Sequence, residues 1–368
     1  MLNKINFYIL VKFFYSFLFT ILILSSILFI GDFVEQFRKS AGKDVPINII
    51  LQLTIFNFPN LISYTLPITS FLSAMLAFLT LIKNSESIVI SGMGISNTKT
   101  LIPPVTLYFV IGVTFILLAN PLISVFDDKY SDLKYKYIDR VDKFASITKD
   151  GLWLKQGNDK NGLNSFLYAK KTENRGETLH NFMLLEYDKK GAFNGRIDGK
   201  KAELYDGFWK MSEIQITPKY GSSKFQDSIE YHTNIKSEDI SDGLSSPSSI
   251  SIWRLMTFIY FLEELGYSAV DFKMYLYELI SLPFYISTLV FLAFSLVQGI
   301  KQNDRFSKVI VSSLILIFFL YFVANLLNAL GSTSQIHPVL ANFSMPIITF
   351  SIAVIILQYH ELRRRKII

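Results

Sequence analysis

The sequence predicts a membrane α-helical bundle of six spans, arranged three plus three around an inserted all-β domain. Three observations carry that fold class. The 368-residue chain is apolar in its first third, charged and rich in turn residues from 126 to 250, and apolar again in its last third. Each apolar third holds three runs close to the ~20 residues that a helix needs to cross a hydrocarbon core about 30 Å thick. The polar middle alternates short apolar stretches with Gly, Asn and Asp, the mark of half-buried strands.

The first run, Phe13 to Gly31, has no charge and no proline. Its apolar core is too long for a secretory leader and no small-residue cleavage site follows, so it is expected to be a retained helix. Leu61–Ile82 and Leu101–Val125 follow, interrupted by Pro67, Pro103, Pro104 and Pro121. Membrane helices tolerate such prolines when neighbours satisfy the freed carbonyls. Leu279–Gly299, Val309–Leu330 and Val339–Tyr359 complete the six.

Lys and Arg then orient the bundle, because cytoplasmic flanks collect them. Lys4, Lys12, Lys83, Lys99, Lys301, Arg305, Lys308 and the tail Arg363–Lys366 fall on one face. On the other, Arg38, Lys39 and Lys43 are offset by Asp32, Glu35 and Asp44, and the turn Asn328–Pro338 has no Lys or Arg. Both termini are therefore expected in the cytoplasm and the insertion outside, as a periplasmic or extracellular domain. The net charge of +6 is largely absorbed by these flanks, which argues against nucleic acid as a partner.

The insertion has no cysteine to staple it, so it needs a core of its own. Strands are expected at Gly151–Lys155, Phe166–Ala169, Phe182–Tyr187, Lys201–Tyr205 and Phe208–Met211, in a sandwich or open barrel. Asp206-Gly207 joins the last two as a type I′ turn. From Pro247 the period becomes helical. Ser248 and Ser249 are candidate caps, and Ile252, Leu255, Met256, Ile259, Tyr260 and Leu262 line an amphipathic connector that ends near Gly266. The domains are then 1–125, with a cytoplasmic helix near 84–94; 126–250; and 251–368.

No catalytic or metal-binding constellation stands out. His180, His232, His337 and His360 are scattered, without an H-x-x-x-H pair. Gly92–Thr100 lacks the glycine before lysine that a phosphate loop requires, and no G-x-S-x-G elbow occurs. The chain is expected to be no enzyme and to hold no cofactor or metal.

The second connection is the most informative polar element. Asn84 or Ser85 can cap a short helix with Glu86 in its first turn. It then shows Ile88, Val89 and Ile90 before Ser91-Gly92 and a second glycine, which is the pattern of a docking surface or of a loop lying on the membrane.

These features together resemble the lipopolysaccharide export permeases of the LptF/LptG family. Ser85-Glu86, an apolar stretch and Ser91-Gly92 are similar to its second connection. Gly151-Leu152-Trp153-Leu154-Lys155-Gln156-Gly157-Asn158 resembles the G-L-W-x-K-x-G-N opening of its periplasmic domain, and Phe33–Lys39 its LptG-side F-V-D-Q-x-K-K stretch. The resemblance implies a β-jellyroll-like periplasmic domain. It implies an LptB-like ATPase dimer that uses the ATP, a second LptF/LptG-type permease, an LptC-like periplasmic bridge, and lipopolysaccharide as cargo. It assigns Glu86, Ile88, Val89, Ser91 and Gly92 to ATPase coupling, and Arg38 and Lys39 to lipid phosphate. Asp32 stands where some members have lysine. Another ABC-type lipid or lipoprotein-release permease would more often have four spans, a scaffold presenting a β domain would need one, and an intramembrane enzyme would show ionisable groups at mid-depth.

Overall fold

The computed structural model describes residues 2–139, 145–148, 151–158, 163–173, 177–188, 192–233, 246–264, 268–298, 300 and 306–365. Lys301, Arg305, Lys366, Gly266 and Gly299 lie outside the described residues. The chain divides into two compact units, one of residues 1–130 with 273–368 and one of residues 131–272.

Six helices are long and apolar enough to cross a bilayer, three before the β domain and three after it. In chain order the helices are α1 (Leu2–Ser40), α2 (Ile47–Lys83), the short α3 (Glu86–Gly92), α4 (Asn97–Thr114), α5 (Asn120–Leu133), α6 (Ile252–Glu264), α7 (Val270–Val297), α8 (Phe306–Ser332) and α9 (Pro338–Arg365). Several outrun the apolar stretches that predicted them. α2 begins at Ile47 and not near Leu61, because its early amides are satisfied inside the bundle. Asn57 donates to Asp32 at 2.8 Å and Asn60 to Asp127 at 3.3 Å. A π segment, Phe115–Ala119, joins α4 to α5. It lies just before Pro121, whose ring would clash with a carbonyl one turn back in a regular α-helix.

The spans are unequally covered. Within the chain, 61% of the second span's apolar window and 67% of the fourth's is buried, against 17% for the first and fifth. α2 and α7 therefore form the centre of the membrane unit, with Phe71, Leu289, Val290 and Leu292 fully buried. Gly112 lets α4 approach α7 closely, since a Cβ there would lie 2.7 Å from the Pro283 Cα.

The second unit holds one seven-stranded antiparallel sheet in sequential order. Its strands are β1 (Ala145–Thr148), β2 (Gly151–Asn158), β3 (Leu163–Glu173), β4 (Thr178–Tyr187), β5 (Phe193–Tyr205), β6 (Phe208–Pro218) and β7 (Lys224–His232). The all-β expectation holds. The jellyroll connectivity does not appear among the described residues, because every strand pairs with its neighbours in sequence and no Greek-key crossover is made. The Asp206-Gly207 turn also differs from type I′: only Gly207 has a positive φ, +84°, where type I′ needs two.

The sheet curls far enough for non-adjacent strands to touch. The amide oxygen of Gln156, on β2, accepts from the Trp209 indole of β6 at 3.2 Å and from the Thr233 hydroxyl, just after β7, at 2.6 Å. Tyr231 on β7 donates to Glu186 on β4. The curl encloses Leu152, Leu154, Leu167, Leu179, Leu184, Trp209, Met211 and Ile214, all buried. The inward-facing phase changes along β4 and β6 at Asn181 and Glu213, both at φ +51°. They share one transverse row with Lys200, which forms an ion pair with Glu213. On α6, Leu255, Ile259 and Leu262 form the buried stripe. Ser248 and Ser249 lie in a 3₁₀ turn ahead of the helix, not at its cap.

Gln156→Ala removes two of the bonds that hold the curl and leaves a buried indole N–H unpaired. A loss of about 1–3 kcal/mol is expected. Thermal unfolding of the full chain in detergent, followed by tryptophan fluorescence, should show a lowered midpoint.

Candidate functional site

α3 is too short to be stable alone and is fastened by one face. Ser85, at φ +59°, breaks the chain out of α2, and Asn84 donates to Glu86 at 3.1 Å instead of capping the helix. Glu86 and Ile90 are four residues apart and so share a face. Ile90 is 6% exposed and packs into the membrane core, while Ile88 and Val89 are 63% and 60% exposed. The expectation that Ile90 would be displayed with its neighbours is thus corrected by the helical period. Ser91 and Gly92 are exposed beside them.

The carboxylate of Glu86 is gripped by α1. Lys12 reaches both oxygens at 2.7 and 2.6 Å, and the Tyr8 hydroxyl donates at 2.9 Å. Partial burial raises the Glu86 pKa, but the bonds from Lys12, Asn84 and Tyr8 outweigh it and hold the carboxyl below its usual range. Nothing in local sequence signals this contact, because Lys12 and Glu86 are 74 positions apart.

At the other end of α1, Arg38 and Lys39 stand in the last turn, where cations favour the helix dipole. Both are exposed and both engage Glu35. Arg38 makes a two-pronged pair at 2.8 and 2.9 Å and Lys39 one at 3.3 Å. Asp32 faces elsewhere, accepting from Gln36 at 3.2 Å and Asn57 at 2.8 Å. Glu35, not Asp32, is the carboxylate that engages these two cations. The i, i+3 and i+4 spacing was the available signal for it.

Between these ends, α1, α2 and α8 line an apolar cleft of about 210 Å³, with Phe19, Ile23, Leu72, Met75, Leu76 and Leu314 on its walls. Its surface is almost wholly hydrocarbon. Among the described residues no group of three His, Cys, Asp or Glu side chains is placed to hold a metal. Asp127 on α5 and Glu278 on α7 lie within helices of the bundle, just beyond the apolar runs read from sequence.

The model of the lipopolysaccharide export system permease LptF/LptG family matches residues 7–359, from the first span through the β domain to the last span. The chain belongs to the LptF/LptG family. A relative from Haemophilus influenzae, lipopolysaccharide export system permease protein LptG, is 24% identical over 350 residues, covering 88% of each chain. Membership makes this chain a transport permease component for lipopolysaccharide export, a multi-span inner-membrane protein in partnership with an ABC system.

With Arg38 and Lys39 as the lipid-phosphate pair that the resemblance implies, Glu35→Gln should release them and tighten binding of a bisphosphorylated lipid on the order of two- to fivefold, the range of exposed ion pairs. Asp32→Asn should leave it unchanged. Fluorescence titration in detergent with both variants checks this, and an equal effect of the two would refute the assignment to Glu35.

Proposed function

We propose that this lipopolysaccharide-export permease is the LptG-type half of a two-permease channel driven by a cytoplasmic LptB-like ATPase dimer. In this reading both termini and α3 face the cytoplasm and the β domain faces the periplasm. The observation that carries it is the division of α3 into an anchored face, Glu86 and Ile90, and an exposed apolar face, Ile88 and Val89. An apolar pair left exposed on so short a helix supports docking into a protein groove. Glu86, Ile88, Val89, Ser91 and Gly92 form the coupling segment. ATP is bound and hydrolysed by the partner, and this chain contributes no cofactor.

Lipid moves along apolar surface. Exposing acyl chains to water costs about 0.8 kcal/mol per CH₂, so a chain of about a dozen carbons costs on the order of 10 kcal/mol. The cleft walled by α1, α2 and α8 supports an entry route that avoids this, with the least covered spans, the first and fifth, turned toward an LptF-type partner. Arg38 and Lys39 meet the lipid phosphates, to which guanidinium and ammonium groups bind strongly. The interior of the curled sheet carries the acyl chains onward. Its edge strands β1 and β7 each have one neighbour among the described residues, which supports strand addition to an LptC-like bridge.

Affinity purification of the tagged chain from native membranes, comparing wild type with Ile88→Asp/Val89→Asp, tests the reading. Wild type should bring down an ATPase and a second six-span permease. The double variant should keep the permease and lose the ATPase. A wild-type chain that purifies alone would sink the exporter assignment.

A further inference from the structure

We propose that Lys12, assisted by Tyr8, couples α3 to the first span by holding Glu86 as an internal tether, so that the ATPase pushes on Ile88 and Val89 while Glu86 passes the displacement to α1. This rests on the ATPase reading above and changes the part that Glu86 plays in it, from a residue offered to the partner to one spent inside the chain.

The geometry argues for the division. Glu86 lies on the anchored face of α3, four residues from the buried Ile90, and its carboxylate already takes four hydrogen bonds from Tyr8, Lys12 and Asn84. The Lys12 and Glu86 side chains are only 17% and 24% exposed, so salt screens them less than a surface pair. Tyr8 and Lys12 are one helical turn apart on α1 and present their donors together. They bracket Ile9, and Phe13 follows; both are buried in the membrane core, with the Phe13 ring 4.7 Å from that of Phe78. The tether therefore ends on a well-packed stretch of α1. By contrast the backbone link from α2 to α3 passes through the left-handed Ser85, a corner that transmits a push poorly. The tether and the seat of Ile90 are the attachments that carry α3 motion into the bundle.

Charge reversal separates this from a direct Glu86–ATPase contact. Lys12→Glu, Glu86→Lys and the double reversal are compared with wild type in two assays. Hydrogen exchange of the 84–94 amides, on the purified permease without ATPase, reads the tether alone. Lipopolysaccharide released per ATP hydrolysed, in proteoliposomes with the ATPase, reads coupling. Each single variant should speed exchange in 84–94 and lower export per ATP on the order of five- to tenfold, within the usual span of coupling energies. The ATPase should co-purify undiminished. The double reversal should restore both readouts, since the Tyr8 hydroxyl accepts as well as it donates. Unchanged exchange in the single variants would overturn the tether. Loss of ATPase binding in Glu86→Lys that the double reversal does not mend would overturn it too, and make Glu86 the partner's contact. Exchange that follows the prediction in a permease recovering no ATPase would instead remove the underlying reading, and with it the coupling role of Lys12.

Discussion

Hydrocarbon offers no hydrogen-bond partners, so polar groups buried between the spans must find theirs in the protein. This constraint explains which helices are locked together. Asp32 and Asn57 bind α1 to α2, and Asn60 with Asp127 binds α2 to α5. Asn120 reaches the Tyr275 hydroxyl at 2.8 Å, binding α5 to α7. The Asn342 amide caps the Met274 carbonyl, binding α9 to α7. Such bonds are individually modest, about 0.6 kcal/mol on average and up to about 2 kcal/mol. Their worth lies in position, since they run through the two best-covered spans. α8 is held differently: Ser312 and Asn325 turn back onto carbonyls of their own helix.

The same constraint leaves a permease with a conflict. A bundle that satisfied every apolar face internally would have no surface left for an acyl chain. The first and fifth spans are the least covered within the chain, and they are also the two spans without an internal proline. Proline bends a helix and needs neighbours to meet the carbonyl it frees. Those neighbours are present around α2, α4, α7 and α9, which carry the prolines. A straight helix without proline can face lipid or a moving partner on most of its circumference and leave no backbone group unpaired.

Much of this was legible in the sequence because solvent changes along the chain. Six apolar runs and a strand-like middle are consequences of hydrocarbon and of a sheet with one buried face. β7 escaped notice because it obeys neither rule. Of its residues from Lys224 to His232 only Tyr231 is buried, as suits an edge strand, and it carries little apolar signal. α2 was read too short because Asn57 and Asn60 look like loop residues until Asp32 and Asp127 are placed opposite them. The exposed pair on α3 is legible but the burial of its third member, Ile90, is not, since an apolar triplet cannot display all its members on one side of a helix. Arg38 and Lys39 were visible as charges, but their engagement by Glu35 is a matter of local helical spacing that a search for phosphate-binding cations passes over.

What sequence hides most completely is that α1 joins two charged sites. It is one helix from Leu2 to Ser40 with no proline or π segment, and Lys12 and Arg38 lie about 39 Å apart along it at 1.5 Å per residue. A continuous helix is stiff along its axis and weak in twist and tilt. A displacement of α3 that reaches Lys12 therefore leaves α1 as a tilt or rotation of the whole rod. The Asp32–Asn57 bond ties α1 to α2 near the far end, and the cleft wall formed by Phe19 and Ile23 lies between the tether and that bond. In the proposed coupling such a movement would change the width of the cleft against α2 and α8, while Arg38 and Lys39 lie beyond the Asp32–Asn57 bond. In the export cycle proposed above, a region that squeezes acyl chains and a charged end that holds their phosphates would then sit on the same helix.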